Sequence, residues 1–347
     1  MVSILFLSDL TSVGVWKQAL DLEDAGLYNQ VPQLLELVLC ANAPSTVSKY
    51  SNGWSRWRTW AMSKDSVPHL PAQPLHVALY ILDLTNTALA KGHGSSAIDT
   101  AIYSIRWGHK VAGVPSPVDH PTVVAAAEGA RRKLGKPIQP KEPITEETLL
   151  KLAEHYNKPY ISLETLRFLF IALIGYFGLL RISEVLSIRL GDIQIQDSHM
   201  SIFVPIRKND QHREGHTSLL SRTGRVTCPV SISERLIALL PSSASSRSSP
   251  VVRRIVKTKK QPERFHESLG ISYTTALENF RKFLSPFVEK ISDFATHSLK
   301  SGGASNSSFK KVDPELKDRH AGWKNPATKL RYTKRSVEEL LDITKSM

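Results

Sequence analysis

Three prolines stand within residues 136–143, in Gly135-Lys-Pro-Ile-Gln-Pro-Lys-Glu-Pro143, and no apolar period runs through them. Proline removes a backbone donor and pushes the residue before it towards extended geometry, so neither a helix nor a sheet crosses such a stretch. The segment predicts a linker over 136–145 that splits the 347-residue chain into two bodies of ordinary domain size. Thr145-Glu-Glu-Thr148 directly after it supplies a helix start.

Upstream of the linker, residues 1–36 read as a leader, with a short helical part beginning at Val31-Pro-Gln-Leu. The block 37–135 reads as all-helical. Val47, Tyr50, Trp54, Trp57 and Met62 recur at helical spacing, and further helices are expected over Leu75–Leu89, Ser95–Val111 and Pro121–Leu134. The aromatic residues at these spacings are expected in the core. Lys49, Arg56 and Arg58 fall between them, and Arg131, Arg132 and Lys133 end the block. These cations are candidates for phosphate contacts, which supply the sequence-independent part of DNA affinity.

Downstream, residues 146–347 predict helices over Glu146–Tyr156, Leu163–Phe177 and Arg181–Ile188. Alternating segments near Ile193, over Ser201–Arg207 and over Thr227–Val230 suggest a small antiparallel sheet, and the last third returns to helix. The class is therefore mainly α with a small antiparallel β-sheet. Pro241–Pro250 is a serine-rich, polar insert read as a loop. Val251–Phe265 carries six basic residues against one acidic. It reads as a basic loop, either merely solvated or in contact with DNA or an import factor.

Charge narrows the partner. With 45 Lys and Arg against 32 Asp and Glu, the net charge of +13 favours a polyanion, nucleic acid before an anionic membrane. The longest apolar run, Phe168–Leu180, falls short of the roughly 20 residues of a membrane span, so no membrane partner is expected. Cys40 and Cys228 make no CxxC pair, which points to a reducing compartment. The opening Met1-Val-Ser-Ile-Leu is a poor export signal, so secretion is not expected. His199, His212 and His216 lack the cysteine pair or HExxH that a zinc site needs, and no metal or other cofactor is expected.

The chemistry lies in four fragments. Arg181 follows the apolar run and must find an anionic partner, and Glu184 stands one turn on, on the same helix face. His297 and Lys300 share a face three residues apart, ahead of Gly302-Gly303. Trp323 follows Ala321-Gly322, and Tyr332 comes nine residues later. Arginine grips two phosphate oxygens with one planar fork and keeps its charge. A tyrosine oxygen can attack phosphorus and conserve the backbone bond energy in a phosphotyrosyl link.

Gly178-Leu-Leu-Arg-Ile-Ser-Glu184, His297-Ser-Leu-Lys300, Ala321-Gly-Trp323 and Tyr332, in this order and spacing, resemble the active-site boxes of the tyrosine recombinase (phage integrase) family. The likeness covers about residues 40–345, is Xer- and Cre-like, and in Arg319-His-Ala-Gly-Trp-Lys-Asn325 leans towards Crypton- and DIRS-type recombinases of eukaryotic mobile elements. It implies a helical, SAM-like core-binding domain and a catalytic domain closing as a C-shaped clamp on double-stranded DNA. It implies a DNA-induced homotetramer that recombines DNA without metal or ATP.

By the same resemblance Tyr332 is the nucleophile, Arg181, His297 and Lys300 hold the phosphate, and Trp323 supports them while Glu184 orients Arg181. Lys208, at a β-hairpin turn, becomes the general acid, with Arg207 and Arg213 beside it as candidate DNA contacts. The family has His-x-x-Arg where this chain has His297-Ser-Leu-Lys300, so the phosphate clamp is expected to be weaker. Two alternatives stay open: a domesticated DNA-binding protein that has lost catalysis, and a type IB topoisomerase. The expected compartment is the nucleus in a eukaryotic host and the cytoplasm in a prokaryotic one.

Overall fold

The computed structural model describes residues 13–137, 139–207, 214–242, 246–258 and 261–323, together with Tyr332 and Leu341. The chain forms two compact units, Met1–Ile138 and Gln139–Met347, which divide inside the proline-rich stretch.

The first unit is helical: α1 (Ala25–Leu39), α2 (Pro44–Met62), α3 (Pro74–Ala90), α4 (Ser96–Ala112) and α5 (Pro121–Leu134). The segment read as a leader thus carries most of α1. Trp54 and Trp57 of α2 are completely buried, as their spacing requires, whereas Met62 at the end of the same periodic pattern is exposed. Burying an indole of this size contributes about 4–6 kcal/mol by area. Trp54 fits because α4 has a glycine where the two helices come nearest its ring. A Cβ on Gly108 would come within 2.2 Å of the Trp54 ring. His109 lies one residue on, fully buried, with Nε2 accepting from the Ala72 N–H at 2.9 Å and Nδ1 donating to the Ile105 carbonyl at 2.8 Å. Burial holds its pKa below the usual range, so it is a neutral core histidine.

In the second unit α7 (Leu163–Phe177) is the axis, preceded by α6 (Glu146–Tyr156). Every residue of α7 from Leu166 to Tyr176 is buried, which accounts for an apolar run with no polar face. Ser162 caps its start by accepting from the Thr165 N–H, and the helix stops at Gly178. Leu179 then takes a positive φ of 48°, a strained geometry for a side chain of this kind. The bend delivers Arg181 to the start of the short helix α8 (Ile182–Ser187).

Strands β1 (Ile193–Ile195), β2 (His199–Val204) and β3 (His216–Ser221) form an antiparallel sheet in the order β1-β2-β3. Met200, Ile202 and Val204 alternate into the core, with Ile202 opposite Ser218. Two expectations need correction here. Thr227–Val230 is not a strand: Cys228 is the N-cap of α9 (Pro229–Ala238), and Pro229 takes the first helical position, where its missing N–H costs nothing. The basic stretch Val251–Phe265 is not an open loop but part of a hairpin, β4 (Arg253–Thr258) with β5 (Gln261–Gly270). Arg253 is fully buried there and donates to the carbonyls of Pro250 and Glu267 at 2.8 and 2.5 Å.

The unit closes with α10 (Tyr273–Leu284), α11 (His297–Phe309) and α12 (Pro314–Ala321). Gly302 and Gly303 let α11 lie against backbone: added Cβ atoms would stand 2.2 Å from the Ile144 carbonyl oxygen and 2.1 Å from that of Tyr176. This close approach brings His297 and Lys300 to the end of α7 from which Arg181 departs. No described helix is long and apolar enough to cross a membrane.

Candidate active site

Arg181 occupies the N-cap of α8, and Glu184 serves it twice. The Arg181 N–H donates to Glu184 Oε2 at 2.7 Å, and Nη1 donates to Oε1 at 2.8 Å. Both side chains are buried. The capping position therefore fixes the guanidinium, as the three-residue spacing suggested. Burial pushes the Glu184 carboxyl up, but Lys300, Arg207 and Arg181 together hold it below the usual carboxylate range.

Lys300 has no solvent exposure, and its Nζ has no hydrogen-bond partner among the described residues. It lies 5.1 Å from the centroid of the Tyr332 ring and 5.7 Å from that of Trp323. Burial, with Arg181 and Arg207 adding to it against the pull of Glu184, brings its pKa down to about 7. Lys300 is thus a cation on the edge of losing its proton near neutrality.

Tyr332 stacks on Trp323, with ring centroids 6.0 Å apart and planes 11° from parallel. The Arg181 guanidinium carbon is 5.9 Å from the Tyr332 ring centroid, and the His297 ring is 6.5 Å from it. Ser305 Oγ of α11 donates to the Tyr332 carbonyl at 3.5 Å. The Trp323 indole N–H is buried and, like Lys300 Nζ, has no partner among the described residues. Residues from separate parts of the chain therefore converge, and two of their donors have no partner among the described residues. A tetrahedral oxyanion would satisfy both donors and meet the charge of Arg181.

Arg207 was placed by sequence among the DNA contacts, and its surroundings are different. It is buried, with Nε on Glu184 Oε1 at 3.2 Å, Nη2 on the Ala321 carbonyl at 2.7 Å and Nη1 on the Gly322 carbonyl at 3.3 Å. It ties the segment bearing Trp323 to the carboxylate that holds Arg181. Gly322, at a φ of +61°, closes α12 and leaves no room for a side chain: a Cβ would fall 1.8 Å from Arg207 Nη1.

Two histidines outside the sequence-predicted set complete this anchoring. His216 Nε2 donates to the His320 carbonyl at 2.9 Å, and His320 Nε2 donates to the Phe177 carbonyl at 2.7 Å. Burial lowers the His216 pKa, so its ring stays neutral and spends its N–H on that carbonyl. No motif marks either histidine, because each acts through backbone carbonyls. Of the other cations, Lys49, Arg56, Arg132 and Lys133 are exposed, Arg58 is half-buried, and Arg131 is paired with Asp99 at 2.9 Å. Lys208 and Arg213 lie outside the described residues. Among the described residues no cluster of three His, Cys, Asp or Glu side chains is placed to hold a metal ion.

No protein-family model matches the chain. A curated relative, an integrase/recombinase XerD homolog from Selenomonas ruminantium, is 29% identical over 178 residues. The match covers 50% of this chain and 50% of that protein, so the chain spans about half the length of the curated relative it matches. Among solved structures, XerH recombinase bound to a palindromic difH substrate superposes with a TM-score of 0.57 at 12% identity, covering 98% of this chain and 94% of that one. A lambda integrase tetramer bound to a Holliday junction gives 0.52 at 12% identity, covering 89% and 77%. The fold of this chain is that of the tyrosine recombinases.

Proposed function

We propose that the chain is a site-specific recombinase or integrase that cleaves and rejoins DNA through a 3′-phosphotyrosyl intermediate. The observation that carries this reading is the convergence on Tyr332 of Arg181, Lys300 and Trp323, with the last two holding unspent buried donors. A scissile phosphate seated there faces the Arg181 guanidinium, the Lys300 amine and an indole N–H. Tyr332 loses its phenolic proton to solvent as its oxygen bonds to phosphorus, and the bond from phosphorus to the 5′ oxygen breaks. Lys208 supplies the proton to that leaving oxygen. Charge building on the non-bridging oxygens is met by groups already in place, so little reorganisation is needed as the reaction proceeds. The reverse reaction, with a different 5′ hydroxyl, rejoins the strand without ATP.

Double-stranded DNA is the partner this reading requires. The net charge of +13, the exposed cations of α2 and α5, and the curated relative's description as an integrase/recombinase support it. Four active sites on two duplexes would make a DNA-induced tetramer, the assembly for which the lambda integrase structure offers a precedent.

A nicked suicide substrate tests the mechanism: the wild-type protein should become covalently attached to DNA in EDTA, and Tyr332→Phe should not. Covalent trapping by both proteins, or by neither, refutes it. The second reading, a DNA-binding protein that has lost catalysis, draws on the weakened charge of Lys300. It is favoured if wild type and Lys300→Arg both bind DNA tightly and neither is trapped.

A further inference from the structure

We propose that the second unit holds another oxyanion site, for a phosphomonoester of about mononucleotide size, in the cavity between the amino-terminal ends of α7 and α10. The cavity has a volume of about 440 Å³ and is lined by Arg167, Arg254, Ser162 and Ser272 among others. That volume falls in the range of small-molecule sites. It is not the catalytic centre. Arg181 follows the far end of α7, a helix of 15 residues, which at 1.5 Å per residue is about 22 Å long.

Arg167 points to an anionic occupant. Its side chain is 4% exposed, and its Nε has no hydrogen-bond partner among the described residues. Nη1 donates to the Arg253 carbonyl at 2.9 Å. The Asn279 amide, turned so that its oxygen faces the guanidinium, accepts from Nη2 at 2.9 Å. Its hydrogen-bond partners are thus neutral, and Glu164 reaches it only through space and through the Asn279 amide that bridges the two, so that burial still outweighs this carboxylate's pull on the guanidinium.

Two carboxylates also line the cavity, and each already has a lysine: Glu164 with Lys282 at 2.5 Å, Glu263 with Lys257 at 3.1 Å. Arg254 on β4 is exposed, and no described carboxylate pairs with it. The start of α7 and the start of α10 both face this space, and their partial positive charges add to the two arginines.

The ligand class follows from this. The Arg254 fork, the unpartnered Nε–H of Arg167 and two helix starts offer more donors than a carboxylate has oxygens, which favours a phosphate. A free phosphate would leave most of the volume unfilled, and Ile255 and Ile271 in the wall suit an apolar or aromatic body. A phosphorylated nucleoside meets both demands.

Calorimetric titration of the full-length chain with adenosine monophosphate, inorganic phosphate and adenosine, at fixed ionic strength, tests the site. Adenosine monophosphate should bind more tightly than inorganic phosphate, and adenosine should not bind. Arg254→Glu, on an exposed side chain and with a thermal melt confirming that the variant folds, should weaken binding by about tenfold or more, as for loss of one charge-assisted contact. Arg181→Ala, which disables the catalytic anion site, should leave this binding in place. Loss of all binding in Arg181→Ala, or unchanged binding in Arg254→Glu, overturns the assignment. It is also overturned if adenosine monophosphate gains nothing over phosphate and non-cognate duplex displaces both, since the cavity would then take DNA backbone.

Discussion

Replacing Lys300 with arginine tests the proposed chemistry at its weakest point. The Lys300 pKa of about 7 means that at pH 8 only about one-tenth of the free protein carries this charge. Arginine keeps its charge throughout this range. If the charge is required, cleavage measured as kcat/KM should rise about tenfold in Lys300→Arg at pH 8, or about 1.4 kcal/mol of barrier. At pH 6, where the lysine is almost fully protonated, the gain should shrink to that of the second donor alone. The wild-type profile should therefore fall about tenfold per pH unit above 7, with the variant flat over the same span. Single-turnover cleavage of a nicked substrate between pH 6 and 9 measures both profiles, and thermal melts check that the larger side chain is accommodated. Parallel profiles would refute the reasoning, because the titrating group would then not be Lys300.

Gly322→Ala should lower cleavage strongly and cost about 1–3 kcal/mol of stability, because its Cβ would strike Arg207 Nη1 at 1.8 Å from a φ of +61°; covalent trapping and urea melts measure the two effects. Gly108→Ala should cost a similar amount by wedging α4 off Trp54, with Trp fluorescence reporting the unfolding and the isolated catalytic step little changed. Lys300→Met should stabilise the fold, since the lysine is held below its unfolded pKa. Between pH 7 and 10.5 the unfolded chain binds more protons at this residue than the folded one, so the lysine's penalty falls as pH rises. The gain from methionine should therefore be a few kcal/mol at pH 6 and smaller at pH 9; a gain that grows with pH would contradict the sign.

The parts of the molecule that were legible in the sequence were those that obey one local rule. Trp54 and Trp57 announce a helix face by spacing, Thr145 announces a helix start, and the prolines over 137–143 announce a boundary. Arg181 and Glu184 were readable as a pair because a helix puts residues three apart on one face. What escaped depended on partners far along the chain. Val251–Phe265 looks like a charged loop because the pairing of β4 with β5 is set by hydrogen bonds, and because buried Arg253 spends its charge on backbone carbonyls. Arg207 looks like a DNA contact for the same reason: nothing nearby in sequence reveals Glu184, Ala321 or Gly322 as its partners. Thr227–Val230 misled through its β-branched residues, where the proline at the first turn of α9 decided the outcome.

A lysine rather than an arginine at position 300 has an electrostatic logic in this setting. Among the described residues Arg181, Arg207 and Lys300 share one carboxylate, Glu184, and all four side chains are buried. With all three cations charged the cluster carries two uncompensated positive charges, and a permanent cation at 300 would fix that cost in the resting protein. Lysine can shed its proton, and its depressed pKa reflects that release. A bound phosphodiester brings one negative charge and balances the cluster with Lys300 neutral. When the phenolate of Tyr332 adds its own charge in the transition state, the balance calls for the proton on Lys300. The lysine then contributes little to holding DNA and most of its charge to the step in which the bond breaks. An interaction made in the transition state and absent from the ground state raises the rate without tightening the substrate. If the proposed reaction holds, Lys300 is a tuned component of its site rather than a weakened stand-in for arginine.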